Sequence, residues 1–328
     1  MCFKEVLPNI FIGTIEEKRV SQASSNLYII KDNDQGLLID CGYDGEISRN
    51  FITNGLAYLG IDVQKLKILI THSHVDHIGS IEYWLSQGAT LLMSEMELLA
   101  AIKNKRIDWA RAVLYGINKF EYNHILTDSE KKIIPQDFFT ENTPYTKLSA
   151  NDKITIGEYN FTVQLYSGHS DAQTCLWEEQ KNFMFCGDQV LLSGCPTINA
   201  WSLPNGYLKA FFDSLQSIKQ LDCSILLPGH GPILRSDDDS INLAINSNRQ
   251  EYNRLIERLL DILQTAEEPH TVIEIVSRLY GNSWHDYFSG HLRRKSVMTN
   301  KVYACLTHLV ETSIIKCTQS DGTVYYSL

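Results

Sequence analysis

The chain has 328 residues, 44% of them hydrophobic and 21% charged, proportions that belong to a folded protein and exclude extended disorder. Its 29 basic and 39 acidic side chains leave a net charge of −10, which argues against a surface built to coat nucleic acid. No run of about 18 apolar residues is present to cross a membrane, and Met1–Pro8 shows no basic region followed by an apolar stretch, so a cytoplasmic protein with no membrane partner is expected.

At roughly 150 residues per domain, the length allows two domains. The first 240 residues alternate strand and helix. Asn9–Gly13, Asn26–Ile30 and Gly36–Asp40 are short apolar runs bounded by turn residues, which reads as strand. Residues 46–59 carry Ile47, Phe51, Ile52, Leu56 and Leu59 at helical spacing, and Lys67–Thr71 is a largely apolar strand. Residues 95–147 interrupt the alternation and read as mostly helical. They hold Trp109, Tyr115, Phe120, Tyr122, Phe138, Phe139 and Tyr145, either as a self-contained aromatic cluster or as a wall beside an active site.

Strands are expected again at 153–157, 160–167, 174–178 and 182–186, then a helix at 207–220 and the strand Ser224–Leu227. Two successive strand-and-helix halves suggest two packed sheets with helices outside, although periodicity alone leaves a single doubly wound sheet open. Beyond residue 240 a long helix runs to Gln264 and breaks at Glu267-Glu268-Pro269. Short helices follow at 272–280, 285–295 and 297–311, then a hairpin from Ile314–Cys317 through Asp321-Gly322 into Thr323–Tyr326. Three helices and a terminal two-stranded wing make a winged-helix pattern. Nine basic and nine acidic residues lie beyond 240, so the excess negative charge belongs to residues 1–240.

The eight cysteines are scattered, with no Cys-x-x-Cys pair. A zinc ribbon is therefore absent, and packing is the expected role of the thiols, Cys41 included. Five of the ten histidines, in contrast, sit in short unusual motifs. Thr71-His72-Ser73-His74-Val75-Asp76-His77-Ile78-Gly79 follows the strand 67–71. Alternation in an extended segment would put His72, His74 and Asp76 on one side, with His77 entering the next helix. Three imidazoles and a carboxylate are costly to bury unpaired. A metal ion removes that cost, since imidazole nitrogen and carboxylate oxygen are ordinary ligands of zinc and iron. Three later motifs, Gly168-His169-Ser170-Asp171, Cys186-Gly187-Asp188 and Pro228-Gly229-His230-Gly231-Pro232, each put a His or Asp after an apolar strand, beside glycines that let backbone approach an ion.

Taken in this order, the motifs resemble the metallo-β-lactamase superfamily over about residues 8–235. The resemblance implies an α/β fold, an αββα sandwich with its site along the edge shared by two sheets. It also implies that His72, His74 and His169 hold one metal, that Asp76, His77 and His230 hold a second, and that Asp188 bridges them. The two divalent ions would be zinc, with iron or manganese as alternatives. A metal-bridging hydroxide would attack the substrate, with Asp76 orienting it, which makes Asp76 and Asp188 the catalytic carboxylates. The helix 207–220, the Pro228–Pro232 turn and the tail are similar to a subgroup that includes an endoribonuclease-like branch. His169-Ser170-Asp171 and Cys186-Gly187-Asp188 are similar to a quinolone-pathway thioesterase branch. The expected organisation is a catalytic domain at 1–240, with its helical insertion, and a mostly helical winged-helix-like domain at 241–328.

Three functions compete. A hydrolase of an ester, thioester or lactone would use the aromatic insertion as an acyl pocket and take a small acyl-type substrate. An endoribonuclease would use the tail and the cluster Arg293-Arg294-Lys295, near His291 and Lys301, to hold RNA. A partner-binding protein would use the tail for a homodimer or another partner and keep a vestigial metal site. Complete ligands disfavour the last, and the acidic first part with its neutral tail disfavours RNA, so the acyl hydrolase is preferred. Ser170 and Asp171 are the expected orienting partners of His169. His124, His270, His285 and His308 lie outside any motif and are assigned to packing or surface.

Overall fold

Strand residues alternate between two destinations, and this alternation builds the layers. The computed structural model describes residues 3–17, 23–106, 139–140, 142–198, 206–281, 292–320 and 323–328. Trp109, Tyr115, Phe120, Tyr122, Phe138, His124, His285, His291, the Asp321-Gly322 turn and the side chains of Arg293, Arg294 and Lys295 lie outside the described residues.

One sheet takes β1 (Lys4–Leu7), β2 (Ile10–Glu17), β3 (Ala23–Asp32), β4 (Gln35–Ile39), β5 (Leu66–Leu69), β6 (Thr90–Ser94) and β7 (Thr146–Leu148) in spatial order. Pairing is antiparallel through β4 and parallel from there to β7. The parallel part needs crossovers, and α1 (Glu46–Leu59), α3 (Ile81–Ser86, after the short α2, Val75–Ile78) and α4 (Glu95–Arg106) lie in them. The second sheet holds β8 (Lys153–Ile156), β9 (Tyr159–Tyr166), β10 (Gln173–Glu178), β11 (Phe183–Gly187), β12 (Ile225–Pro228) and β13 (Leu234–Arg235), ordered β13-β12-β11-β10-β9-β8. Only β11 and β12 run parallel there, joined across α5 (Tyr207–Gln220).

Tyr28, Ile30, Leu37, Ile39 and Leu69 of the first sheet meet Phe161, Val163, Leu176, Phe183, Phe185 and Leu227 of the second in a shared core. Their neighbours one residue along point the other way. Leu27, Ile29, Leu38 and Ile68 pack with Ile52 and Leu56 of α1 and with Ile81 and Trp84 of α3. Cys175, Trp177, Met184, Cys186 and Leu226 pack with Phe211 and Leu215 of α5. The result is helix, sheet, sheet, helix, and the single doubly wound sheet is excluded.

The remaining chain forms α6 (Ser240–Gln264), β14 (His270–Thr271), α7 (Val272–Tyr280), α8 (Leu292–Glu311), β15 (Lys316–Ser320) and β16 (Thr323–Ser327), with a three-stranded sheet ordered β14-β16-β15. A capping box between Thr271 and Glu274 starts α7, satisfying donors the helix itself cannot. Two expectations change here. The helices expected at 285–295 and 297–311 are, in the described part, one helix, because no glycine or proline interrupts Lys295-Ser296-Val297. The strand expected from Ile314 begins at Lys316, because Ser313 turns left-handed (φ 58°) and the Ile314 amide bonds back to Leu309. Tyr252, Leu259, Ile275, Leu306 and Tyr326 from this region share one apolar cluster with Phe211 and the outer face of the second sheet. Among the described residues, no helix is long and apolar enough to cross a membrane.

Candidate metal centre

The site forms where strands of both sheets end. After β5 the chain leaves the sheet at Ile70, and Thr71 is caught by Asp40, whose Oδ1 accepts the Thr71 amide at 2.8 Å. Asp40 follows β4 with a left-handed φ of 60°, which aims its carboxyl group across to the neighbouring strand end. His72 lies on the loop, while His74 is the extended residue just before α2. Asp76 and His77 already belong to that helix, whose first bonds run from the His77 and Ile78 amides to the His74 carbonyl. The motif is therefore not one extended segment. Successive helical residues are turned by about 100°, so Asp76 and His77 enter the site from different directions. Gly79 permits this packing, since a Cβ there would lie 2.2 Å from the Asp44 amide nitrogen.

His169 follows β9 beside Gly168, which has a φ of 127° and packs against the Phe211 backbone of α5. Asp188 follows β11, and His230 follows β12. These side chains converge. His72 Nε2 lies 3.0 Å from His74 Nδ1 and 3.2 Å from His169 Nε2. His230 Nε2 lies 3.2 Å from Asp76 Oδ2 and 3.0 Å from Asp188 Oδ2. His77 Nε2 is 3.8 Å from Asp76 Oδ2 and 3.5 Å from Asp188 Oδ2. Asp188 Oδ2 also approaches His169 Nε2 at 3.6 Å and His72 Nε2 at 4.0 Å. Three groups, His72/His74/His169, His72/His77/Asp188 and Asp76/His77/His230, each gather ligand-type atoms within 4.8 Å of one another.

The charge states divide the same way. Burial, reinforced by neighbouring imidazoles, holds His72 well below the usual histidine range and His169 at about 4. These rings keep a lone pair to offer. Burial opposes charge at His77 and His230 as well, but there carboxylates outweigh it, Asp188 foremost, and His230 rises to about 10. The same pairings, against burial, hold the Asp76 and Asp188 carboxyls below their usual range. Protons on His77 and His230 supply positive charge that the gathered carboxylates demand, and cations would supply it equally. Two polar atoms, His77 Nε2 and Asp188 Oδ1, are buried with no hydrogen-bond partner. Neutral imidazoles, ionised carboxylates and unpaired inward atoms fit a divalent cation site.

The outer ring nitrogens of His72, His77, His169 and His230 are engaged. His77 Nδ1 bonds Asp40 Oδ2 at 2.8 Å, His169 Nδ1 bonds the Thr197 carbonyl at 2.9 Å, and His230 Nδ1 bonds the Ser24 carbonyl at 2.5 Å. His72 Nδ1 bonds the Thr71 hydroxyl at 3.0 Å. These contacts aim the inward nitrogens at one another's neighbourhood, where His72 and His169 offer lone pairs and His77 and His230 would do so once a cation displaces their protons. The contact that holds His169 Nδ1 is the Thr197 carbonyl; Ser170 Oγ is buried without a partner, and Asp171 Oδ1 accepts from the Tyr207 hydroxyl at 3.4 Å. Glu97, fully buried at the start of α4, ties two ligand loops by accepting the Ser73 amide at 2.8 Å and the Ala172 amide at 2.7 Å. Neither Asp40 nor Glu97 stands out in sequence. Asp40 carries the fainter signal, an acid at the end of an apolar strand. Cys41 is a buried thiol pushed up to about 12 by burial and hydrogen-bonded to the His77 carbonyl. His270 is buried beside Glu274 and His308 packs on Phe212, both outside this cluster.

The sequence profile of the metallo-beta-lactamase superfamily matches residues 21–230, and the chain belongs to that superfamily. An atrochrysone carboxyl ACP thioesterase of Aspergillus fumigatus is 24% identical over 277 residues, 82% of this chain and 53% of the relative. The chain thus spans about half the length of that relative. A hydroxyacylglutathione hydrolase of Francisella tularensis is 24% identical over 228 residues, 69% of this chain and 71% of its own. A crystal structure of a metallo-beta-lactamase family protein from Thermus thermophilus superposes with a TM-score of 0.79 at 18% identity, covering 98% of this chain and 99% of that one. It shares the fold. Family and hydrolase-named relatives together support a metal-dependent hydrolase.

Proposed function

We propose that the protein is a dinuclear metal-dependent hydrolase of a small acyl compound, a thioester foremost and otherwise an ester or lactone. The observation that carries this reading is the position of Asp188, one oxygen of which lies within 4.0 Å of four imidazole nitrogens. In the proposed arrangement His72, His74 and His169 would hold one divalent ion, Asp76, His77 and His230 would hold the other, and Asp188 would serve both. Zinc suits this donor set, and iron or manganese would also be held. Such ions, when bound, acidify water and polarise a carbonyl oxygen. Asp76, ionised in the cation-free chain beside His77 and His230, would orient the attacking water and accept its proton. Asp40 and the carbonyls of Ser24 and Thr197 hold His77, His230 and His169 with their outer nitrogens engaged, so that the inward nitrogens would face the ions.

The Aspergillus relative is named a thioesterase and the Francisella relative a hydrolase of hydroxyacylglutathione, and both names favour an acyl substrate. Residues 1–240 would carry the chemistry. Residues 241–328 would form a winged-helix-like unit, a reading supported by the strand order β14-β16-β15 with α7 and α8 alongside.

Metal analysis of the purified protein, with a panel of acyl thioesters, aryl esters, lactones and short RNA, tests the proposal. About two ions per chain and thioester turnover are expected. Asp188→Asn should lower that turnover roughly 100-fold or more. Turnover that survives Asp188→Asn, or RNA as the one substrate cleaved, would sink it.

A further inference from the structure

We propose that Tyr252 is a positioning residue for His169, acting through a single peptide plane of the loop that lies between them. The inference rests on the reading of His169 as a metal ligand.

The loop Leu191–Ile198 has no regular structure, yet side chains from beyond the sandwich hold its backbone at Leu191, Gly194, Pro196 and Ile198. Asn248 on α6 accepts the Leu191 amide at 3.1 Å and donates to the carbonyls of Leu191 at 2.8 Å and Gly194 at 3.1 Å. Tyr252, one helical turn further along α6, donates its hydroxyl to the Pro196 carbonyl at 2.7 Å and accepts the Ile198 amide at 2.9 Å. Asn300 on α8 donates to the Ile198 carbonyl at 3.1 Å.

The Ile198 amide nitrogen and the Thr197 carbonyl belong to the same peptide unit, which is rigid and planar. One end of that plane is fixed by the Tyr252 hydroxyl, and the other accepts His169 Nδ1 at 2.9 Å. Fixing the N–H end therefore fixes the direction of the carbonyl. It also strengthens the carbonyl as an acceptor, because hydrogen bonds in such a chain polarise one another. A carbonyl can only accept, so His169 must carry its proton on Nδ1 and present Nε2 as a lone pair toward His72 and His74. Tyr252 and Ile198 are both fully buried, so bulk water does not reach the position the hydroxyl leaves. In Tyr252→Phe the Ile198 amide and the Pro196 carbonyl lose this partner, and the plane is free to turn. The imidazole then loses its fixed tautomer, although nothing in the cluster itself has changed.

The test uses the full-length protein, stripped with chelator and titrated with cobalt(II), whose absorption reports ligand geometry. His169→Ala serves as the reference for the binding step that depends on this ligand. Tyr252→Phe is expected to weaken that same step roughly 10- to 100-fold and to alter the cobalt spectrum, with near-ultraviolet circular dichroism retained. Unchanged cobalt binding in Tyr252→Phe, beside an impaired His169→Ala, would overturn the inference and leave the ligand reading standing. So would a uniform loss at every step with a lowered Tm, which would mark a merely structural role. Unchanged binding in His169→Ala removes the ligand reading, and this inference with it. Should Tyr252→Phe fail to fold, nitrogen-15 NMR of the wild-type histidines decides: a proton on Nδ1 of His169 is expected, and a proton on Nε2 overturns the proposal.

Discussion

Among the described glycines, Gly229 is the one whose added Cβ would meet charged atoms of the site. A Cβ at that position would lie 2.3 Å from Asp188 Oδ1 and 2.9 Å from His77 Cε1, which are the surroundings of two unpaired polar atoms. Gly229→Ala should therefore weaken metal binding roughly tenfold or more with the fold intact, read as metal content per chain alongside circular dichroism. His230 gives a second prediction at this scale. Its pKa rises from 6.5 to about 10 in the cation-free chain, because Asp188 and Asp76 outweigh the burial that opposes its charge. A raised folded-state pKa contributes stability that is complete below 6.5 and fades as pH climbs through about 10. Chelated protein should accordingly lose Tm across that interval. Metal-loaded protein, in which a cation takes the proton's place, should lose less. Parallel thermal melts with and without chelator measure the difference.

Among the elements, those with a clear period were legible from sequence. Cys175, Leu176 and Trp177 of β10 alternate between the outer and inner cores as a strand period requires, and α1 and α5 start and stop where their apolar spacing does. The ligand motifs were legible because chemistry-bearing residues at the ends of apolar strands, next to glycines, have few other uses. What escaped was short or unmarked. The helix Val75–Ile78 is only 4 residues long, too brief for any periodicity, so Asp76 reads as extended when it is helical. The strand Thr90–Ser94 has only Leu91, Leu92 and Met93 as apolar residues between two helices, a run too short to separate from a buried helical turn. The acceptors that orient His169 and His230 are backbone carbonyls of Thr197 and Ser24, and a carbonyl leaves no trace in a sequence. Glu97 was hidden for a different reason: an acid in the first turn of a helix reads as a helix-start signal, not as a strap between loops.

For the whole molecule, the apolar cluster outside the second sheet shows how the proposed regions 1–240 and 241–328 depend on each other. Met184, Phe211 and Leu226 share that cluster with Tyr252, Leu259, Ile275 and Leu306. A chain ending at residue 240 would expose this face to water, at about 25 cal/mol for each Å² of apolar surface uncovered. Such a truncation should be insoluble or bind hydrophobic dyes strongly, whereas a soluble 1–240 fragment that melts cooperatively would show the two regions to be independent.

The join between β3 and the Pro228–Gly231 turn bears on the order in which the chain folds. The Asn26 side chain and the Tyr28 hydroxyl bond the Pro228 carbonyl, and His230 bonds Ser24, contacts that bridge 200 or more positions of sequence. Contacts that distant carry the largest loop-closure entropy and are favoured only after local structure has shortened the effective loop. Each sheet can therefore assemble from its own hairpins and crossovers before the cluster exists, and the cluster closes when the two halves dock. If the halves close last, His72, His74 and His77 stand apart from His169 and His230 until docking, and full metal affinity is expected only in fully folded protein. Refolding with the metal added before or after denaturant removal would test this.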